Sequence, residues 1–212
     1  MWRAAAVLPL FLTPKRTKSE PVEQQPTNRV SWHHAPLHLF EPNCNYMLTA
    51  ATLHKEHHFR GADRLRYLES LLLEVYSEKG WEIRAWAVFS NHYHLIVRSP
   101  QDACGLSSVV QRIHSQSSRW VNQLDGAPGR QVWFQYRDKC LTFEKSYFAR
   151  LNYVTQNAVK HGLVERAVDY PFCSASYYEQ NYSSAILRRL SSYKHDRVEE
   201  QDEYAPQYDQ TE

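Results

Sequence analysis

Glycine is scarce in this chain, with six in 212 residues. So few turn-forming residues argue against a barrel or propeller, whose many tight turns need left-handed backbone that glycine adopts most readily. Cysteine is nearly as sparse. Cys44, Cys104, Cys140 and Cys173 stand far apart and form no CxxC pair, which excludes a zinc ribbon and gives no disulfide framework. A reducing cytoplasm is the simplest setting for such thiols. No apolar run approaches the ~18 residues of a membrane span. No internal repeat recurs and no P-loop is present, so the chain reads as neither a solenoid nor a nucleotide-driven motor. The length suits one domain with tails, and 42% hydrophobic residues against 23% charged is ordinary for a protein with a buried core.

Net charge is also small, +2, but unevenly spread. Residues 45–195 carry nineteen Lys/Arg against thirteen Asp/Glu and eight of the eleven histidines, whereas residues 196–212 carry one basic residue against seven acidic. A basic middle suits a polyanionic ligand. Residues 1–43 read as a disordered or loosely ordered extension: the short run AAAVLPLFL is broken by proline, lacks a cleavage site, and gives way to polar residues. The folded domain is expected over 44–180. Residues 181–212 read as a C-terminal extension with a disordered acidic tail.

Between these ends the patterns are clear. NYMLTAAT (45–52) is strand-like. Leu65, Leu68, Leu72, Val75 and Tyr76 recur at helical spacing over 62–79, with Gly80 as the cap. WEIRAWAVF (81–89) and HYHLIVRS (92–99) form a hairpin around Ser90 and Asn91. A second helix covers about 105–124 and ends at GAPG. Residues 131–142 are irregular or strand-like, and a third helix spans about 143–161. Two consecutive antiparallel strands between helices indicate an α+β fold: one antiparallel sheet with helices on one face.

The segment FSNHYHLIV (89–97) carries the chemistry. On a strand His92 and His94 point the same way, ~7 Å apart at Cα, and can converge on one divalent metal, while Tyr93 and Leu95 face the opposite side. Leu95, Ile96 and Val97 stand where an HxHxDH hydrolase would need further ligands. The HKEHH stretch with His54, His57 and His58 lacks the glutamate position of HExxH and reads as a solvated surface segment. On the third helix, Tyr153 and Asn157 share a face one turn apart, and His161 continues the stripe. A phenol, a carboxamide and an imidazole in line make a poor core face and a good polar site.

This combination resembles the single-tyrosine HUH transposases of the IS200-like family, in particular the REP-associated tyrosine transposases. Their motif is a strand-borne pair of histidines flanking a bulky residue, followed by a helical nucleophilic tyrosine. NHYHLIV matches the first part, and LNYVTQNAVKHGLVERAVDYPFCSASYY resembles the second; the likeness covers about residues 45–178. Ala158 stands where that family usually has proline after the asparagine. The resemblance implies a ferredoxin-like HUH endonuclease-type domain in a bacterial, cytoplasmic protein. It implies Tyr153 as nucleophile and His92, His94 and Asn157 as ligands of Mg²⁺ or Mn²⁺, with His161 and Gln156 as supporting positions. The implied partner is single-stranded or hairpin DNA of palindromic repeat elements, bound by a monomer or homodimer without a membrane. The implied reaction is metal-assisted cleavage and rejoining through a 5′-phosphotyrosine link.

Such chemistry fits the residue types. A tyrosine hydroxyl, with an ordinary pKa near ~10, is a weak nucleophile at neutral pH, and a cation at the phosphate offsets the charge that develops. Trp133, Tyr136, Arg137 and Lys139 interleave aromatics with cations, as stacking on unpaired bases requires. Arg112 and Arg119 on the second helix, and Lys160 on the third, complete the expected DNA-binding set. Three other readings stay open: a domesticated, non-catalytic hairpin-binding protein; a replication-initiator or relaxase-like nicking enzyme, which usually carries a companion helicase; and an unrelated His-x-His metalloenzyme acting on a small molecule.

Overall fold

Strand β1 (Asn45–Thr52) is central, and its pleat sends Tyr46, Leu48 and Ala50 to one side of the sheet and Met47 and Thr49 to the other. The structure, a computed structural model, describes residues 41–101, 105–194 and 198. The N-terminal extension up to residue 40 and the acidic tail fall outside these, Val198 excepted. Helix α1 (Ala62–Glu78) follows β1, then β2 (Glu82–Val88) and β3 (His92–Arg98) as a hairpin, α2 (Leu106–Leu124), β4 (Trp133–Leu141) and α3 (Glu144–Lys160). Two shorter helices, α4 (Ala175–Asn181) and α5 (Ser184–Ser191), come last. The stretch read as irregular or strand-like is thus a nine-residue strand.

The sheet order is β2-β3-β1-β4, every neighbouring pair antiparallel. Together with the βαββαβ order of the first six elements, this is the ferredoxin-like arrangement. Gly80 adopts φ +72°, the left-handed turn that lets the chain leave α1 and enter β2.

Helices lie on both faces of the sheet rather than on one. Leu68, Leu72, Val75 and Tyr76 of α1 and Val109, Val110, Ile113 and Val121 of α2 pack against Tyr46, Leu48, Tyr93, Leu95 and Val97. Tyr147, Leu151, Tyr153, Val154 and Ala158 of α3 pack against Met47, Ala85, Ala87 and Ile96 on the opposite face. The reason is visible in β3, where six consecutive residues are buried: a strand apolar on both sides needs a cover on both sides. The domain also runs beyond residue 180, which falls inside α4. From the segment after α5, Tyr193 stacks on Phe148 at 4.9 Å and accepts a hydrogen bond from Asn152 at 2.8 Å, both on α3.

One aromatic contact ties α1 to α2 and another ties α2 to β4. Tyr67 stacks on Trp120 with centroids 3.9 Å apart, and His114 of α2 lies flat against Trp133 at 4.4 Å. The Tyr93 hydroxyl is hydrogen-bonded with His114 Nε2 at 3.0 Å. Burial holds the His114 imidazole neutral, its pKa pushed down to about 3. In the unfolded chain the same ring takes up a proton below pH ~6.5, while the folded one does so only near pH 3. The contribution of His114 to stability is therefore full above pH ~6.5 and is lost on acidification, at about 1.4 kcal/mol per pH unit. Burial of His58 lowers its pKa and acts in the same direction. An NMR pH titration should find the His114 ring still neutral at pH 4.5. A midpoint near 6.5 would show that the ring is not packed on Trp133 in solution.

Candidate active site

The face of the sheet covered by α3 carries the two strand histidines. His94 is fully buried, and its Nδ1 lies 2.9 Å from Thr49 Oγ1 on the neighbouring strand, its direct cross-strand partner. His92 Nδ1 lies 2.7 Å from Asn91 Oδ1, which as an acceptor fixes the tautomer with the proton on Nδ1. Phe89 stacks on His92 at 4.6 Å and meets the edge of His161 at 5.0 Å, walling the cluster from the hairpin side. These three partners, Thr49, Asn91 and Phe89, were not singled out from the sequence. Thr49 becomes visible only once the β1–β3 register is known.

The third helix delivers the rest. His161 caps α3, and its ring centroid lies 5.2 Å from that of His92. One ring nitrogen from each of His92, His94 and His161 lies within 4.8 Å of the other two, and the Nε2 atoms of all three are buried. Three imidazoles gathered in this way can hold a metal ion. His161, assigned a supporting position from the sequence, thus completes the histidine trio. The Tyr153 ring meets the edge of His94 at 5.4 Å. Asn157, fully buried, lies on α3 between Tyr153 and His161, one turn from each. Ala158, in place of a proline, keeps its N–H, and α3 continues through it.

Lys160, exposed at the end of α3, reaches back to Tyr153. Its Nζ lies 3.2 Å from the Tyr153 hydroxyl oxygen, to which it donates, and 4.6 Å from the ring centroid. Gln156, by contrast, lines a cleft between α3 and the pair α4–α5, with Ala167, Tyr178 and Leu190.

The other cations divide between two sides. Arg137 pairs with Thr49, and Thr49 with His94, so the three stand in one row across the sheet on the histidine face. Lys139 lies in the next such row, opposite Met47, and both cations are exposed on the edge strand β4. Arg112 and Arg119 are on α2, across the sheet from the histidines. Arg112 pairs with Glu78 at 2.7 Å, and the Nε of Arg119 donates to the carbonyl of Ser115 on its own helix at 3.3 Å. Trp133 does not offer a stacking surface: it is 6% exposed, packed between Phe59 and His114, with Nε1 donating to Ser117 Oγ. Tyr136 is half-buried against the same core. The exposed aromatic on β4 is Phe134. In the HKEHH stretch, His58 is buried beside Glu56 at 3.3 Å rather than solvated, and His57 Nδ1 meets Ser90 Oγ at 2.6 Å.

A profile of the family described as "Transposase IS200 like" matches residues 41–159. The chain belongs to the IS200-like transposase family. It is 26% identical over 106 residues to the REP-associated tyrosine transposase of Escherichia coli (strain K12), a match covering 50% of this chain and 61% of that protein. The fold also matches a solved structure described as the REP-associated tyrosine transposase bound to a REP hairpin. That match has TM-score 0.56 and 20% sequence identity over 73% of this chain and 89% of the other. The family match takes in β1 to α3 almost entire, and so His92, His94, Tyr153 and Asn157. His161 follows two residues after it. Among the described residues of this family member, no helix is long and apolar enough to cross a membrane.

Thr49 gives a direct test of the cluster. Thr49→Val keeps the volume and removes the hydroxyl beside His94. Calorimetric titration with Mn²⁺ should show affinity weakened about 10- to 100-fold, the usual effect of losing a group that orients a ligand, with the fold intact. Unchanged affinity would mean that Thr49 does not orient a metal ligand.

Proposed function

We propose that this chain is a DNA transposase that cleaves and rejoins single-stranded or hairpin DNA through a covalent link to Tyr153. The observation that carries the reading is the juxtaposition of Tyr153 with the His92–His94–His161 cluster inside one buried site. Membership of the IS200-like family and the hairpin-bound relative of the same fold support it.

In this reading the Tyr153 oxygen attacks the scissile phosphorus. The new O–P bond leaves the 5′ side of the break on the tyrosine, the P–O3′ bond breaks, and the departing 3′ oxygen ends as a hydroxyl. Rejoining is the reverse: a 3′-OH attacks the phosphotyrosine and Tyr153 leaves, so no nucleotide hydrolysis is needed. Lys160 places positive charge beside the oxygen on which negative charge sits when that bond breaks. Asn91 and Thr49 hold the imidazoles in position.

The donor set fits a divalent metal. His92, His94 and His161 would hold it, with Asn157 supplying an oxygen donor from the same helix. Of the two ions considered, Mn²⁺ suits three imidazoles better than Mg²⁺, which prefers oxygen. When bound, the ion supplies a Lewis acid for the phosphate oxygens. All these side chains belong to one chain, so a single copy holds the complete set. Arg137 and Lys139, exposed on the same face, supply further cations for the flanking phosphates.

Tyr153→Phe deletes one hydroxyl at a cost of ~1 kcal/mol. Incubated with hairpin DNA and Mn²⁺, the wild-type protein should give a covalent adduct on a denaturing gel, and the variant none, although it still binds the DNA. Adducts formed by the variant at the wild-type rate would remove Tyr153 from the chemistry, and an inert wild type would leave a hairpin-binding protein. Arg137→Ala should weaken DNA binding about equally across sequences and flatten the salt dependence by about one counterion. An unchanged slope in log Kd against log salt would place the phosphate path elsewhere.

A further inference from the structure

On the far side of the sheet from the histidines, α2 and the start of β4 enclose an open cleft of about 410 Å³. That volume lies within the ~300–1,000 Å³ of pockets that take small organic ligands. Gln111, Ser115 and Ser118 line it from α2, and Gln131, Phe134 and Tyr136 from the β4 side. The histidine site described above makes no use of it, and Phe134 offers it a ring that is 56% exposed.

The lining is selective about charge. The floor is the flat His114–Trp133 stack, and the imidazole in it is held neutral. Arg130 also borders the cleft, but its guanidinium is committed: Nε donates to Asn122 Oδ1 at 2.9 Å and one terminal nitrogen to Asp125 at 2.6 Å. The one arginine among the lining residues is thus already bonded to a carboxamide and a carboxylate. The cleft offers aromatic faces and a rim that includes the carboxamides of Gln111 and Gln131 and the hydroxyls of Ser107, Ser115 and Ser118, groups that both donate and accept hydrogen bonds. A flat, neutral heterocycle with donors and acceptors along its edge matches that lining. The pleat of β4 links this cleft to the catalytic face: Tyr136 borders the cleft, while the adjacent Arg137 lies in the row of His94. A strand wrapped over this edge can present a phosphate to one face and a base to the other.

We propose that this cleft is a receptor for one unpaired base of the bound DNA, stacked on Phe134 and read along its edge by Gln111 and Gln131. The proposal rests on the DNA-processing reading given above, but it concerns binding and not chemistry.

The experiment uses the full chain and hairpin oligonucleotides that carry 2-aminopurine at each unpaired position in turn. The expected result is quenching at one position by the wild type, retained in Tyr153→Phe. Phe134→Ala and Gln111→Ala should each lose the quench and bind that hairpin at least several-fold more weakly, with thermal unfolding unchanged. Base–aromatic stacking of the usual strength predicts a loss of about tenfold for the Phe134 variant. Hairpin binding with no position-specific quench, or a quench that survives both variants, would overturn the receptor and leave the transposase reading in place. Failure to bind any hairpin would overturn the receptor as well. A specific quench without any Tyr153 adduct would uphold the receptor and sink the nuclease chemistry.

Discussion

The contact between α3 and the histidine-bearing face of the sheet governs the site. Tyr147, Leu151, Val154 and Ala158 meet Met47, Ala85, Ala87 and Ile96, and this apolar contact sets the height of the helix above the strands. Tyr153, Asn157 and His161 travel with the same helix, so the packing that excludes water also sets the spacing of phenol, carboxamide and imidazole from His92 and His94. Burial of the polar groups is tolerated because Thr49 and Asn91 take up the inner ring nitrogens. Stability and chemistry thus share one interface, and loosening of that interface degrades both.

Most of this was legible in the sequence because the signals were local. Helical spacing from Leu65 to Tyr76, the Gly80 stop and the short Ser90–Asn91 turn define α1 and the β2–β3 hairpin without tertiary information. The alternation of His92 and His94 against Tyr93 and Leu95 likewise follows from the pleat alone. What was not legible depends on pairing between distant segments. Residues 131–142 carry charged and apolar residues with little alternation, because β4 is an edge strand whose outward side chains are free to be polar. The second helical layer was missed although β1 and β3 are apolar on both faces, a pattern that already demands two covers. Trp133 and Lys160 were assigned to DNA by residue type. The register of β4 puts the first in the core, and the turn of α3 puts the second on Tyr153.

The two faces of the sheet divide the work. One is lined by imidazoles and a phenol, with the ammonium of Lys160 beside the phenol and two further exposed cations on the adjoining edge. The other is an aromatic layer in which His114 is locked neutral and the cations of α2 and of the turn before β4 are engaged by Glu78, Asp125 and a helix carbonyl. In the proposed reading, charge recognition and shape recognition are separated by the thickness of a single sheet, and β4 belongs to both sides.

The support behind α3 has a consequence for synthesis. Phe148 and Asn152, on the tyrosine helix, are held by Tyr193, and Glu144 at its start is paired with Arg189 at 3.4 Å. These partners lie some tens of residues downstream of Tyr153, beyond every strand of the sheet. Chains fold from the N-terminus as they emerge, so the sheet and its α1–α2 layer can assemble while the tyrosine helix still lacks its backing. A nascent chain that has not yet presented Arg189 and Tyr193 therefore lacks the support of its tyrosine helix, and completion of the site waits on residues made well after it.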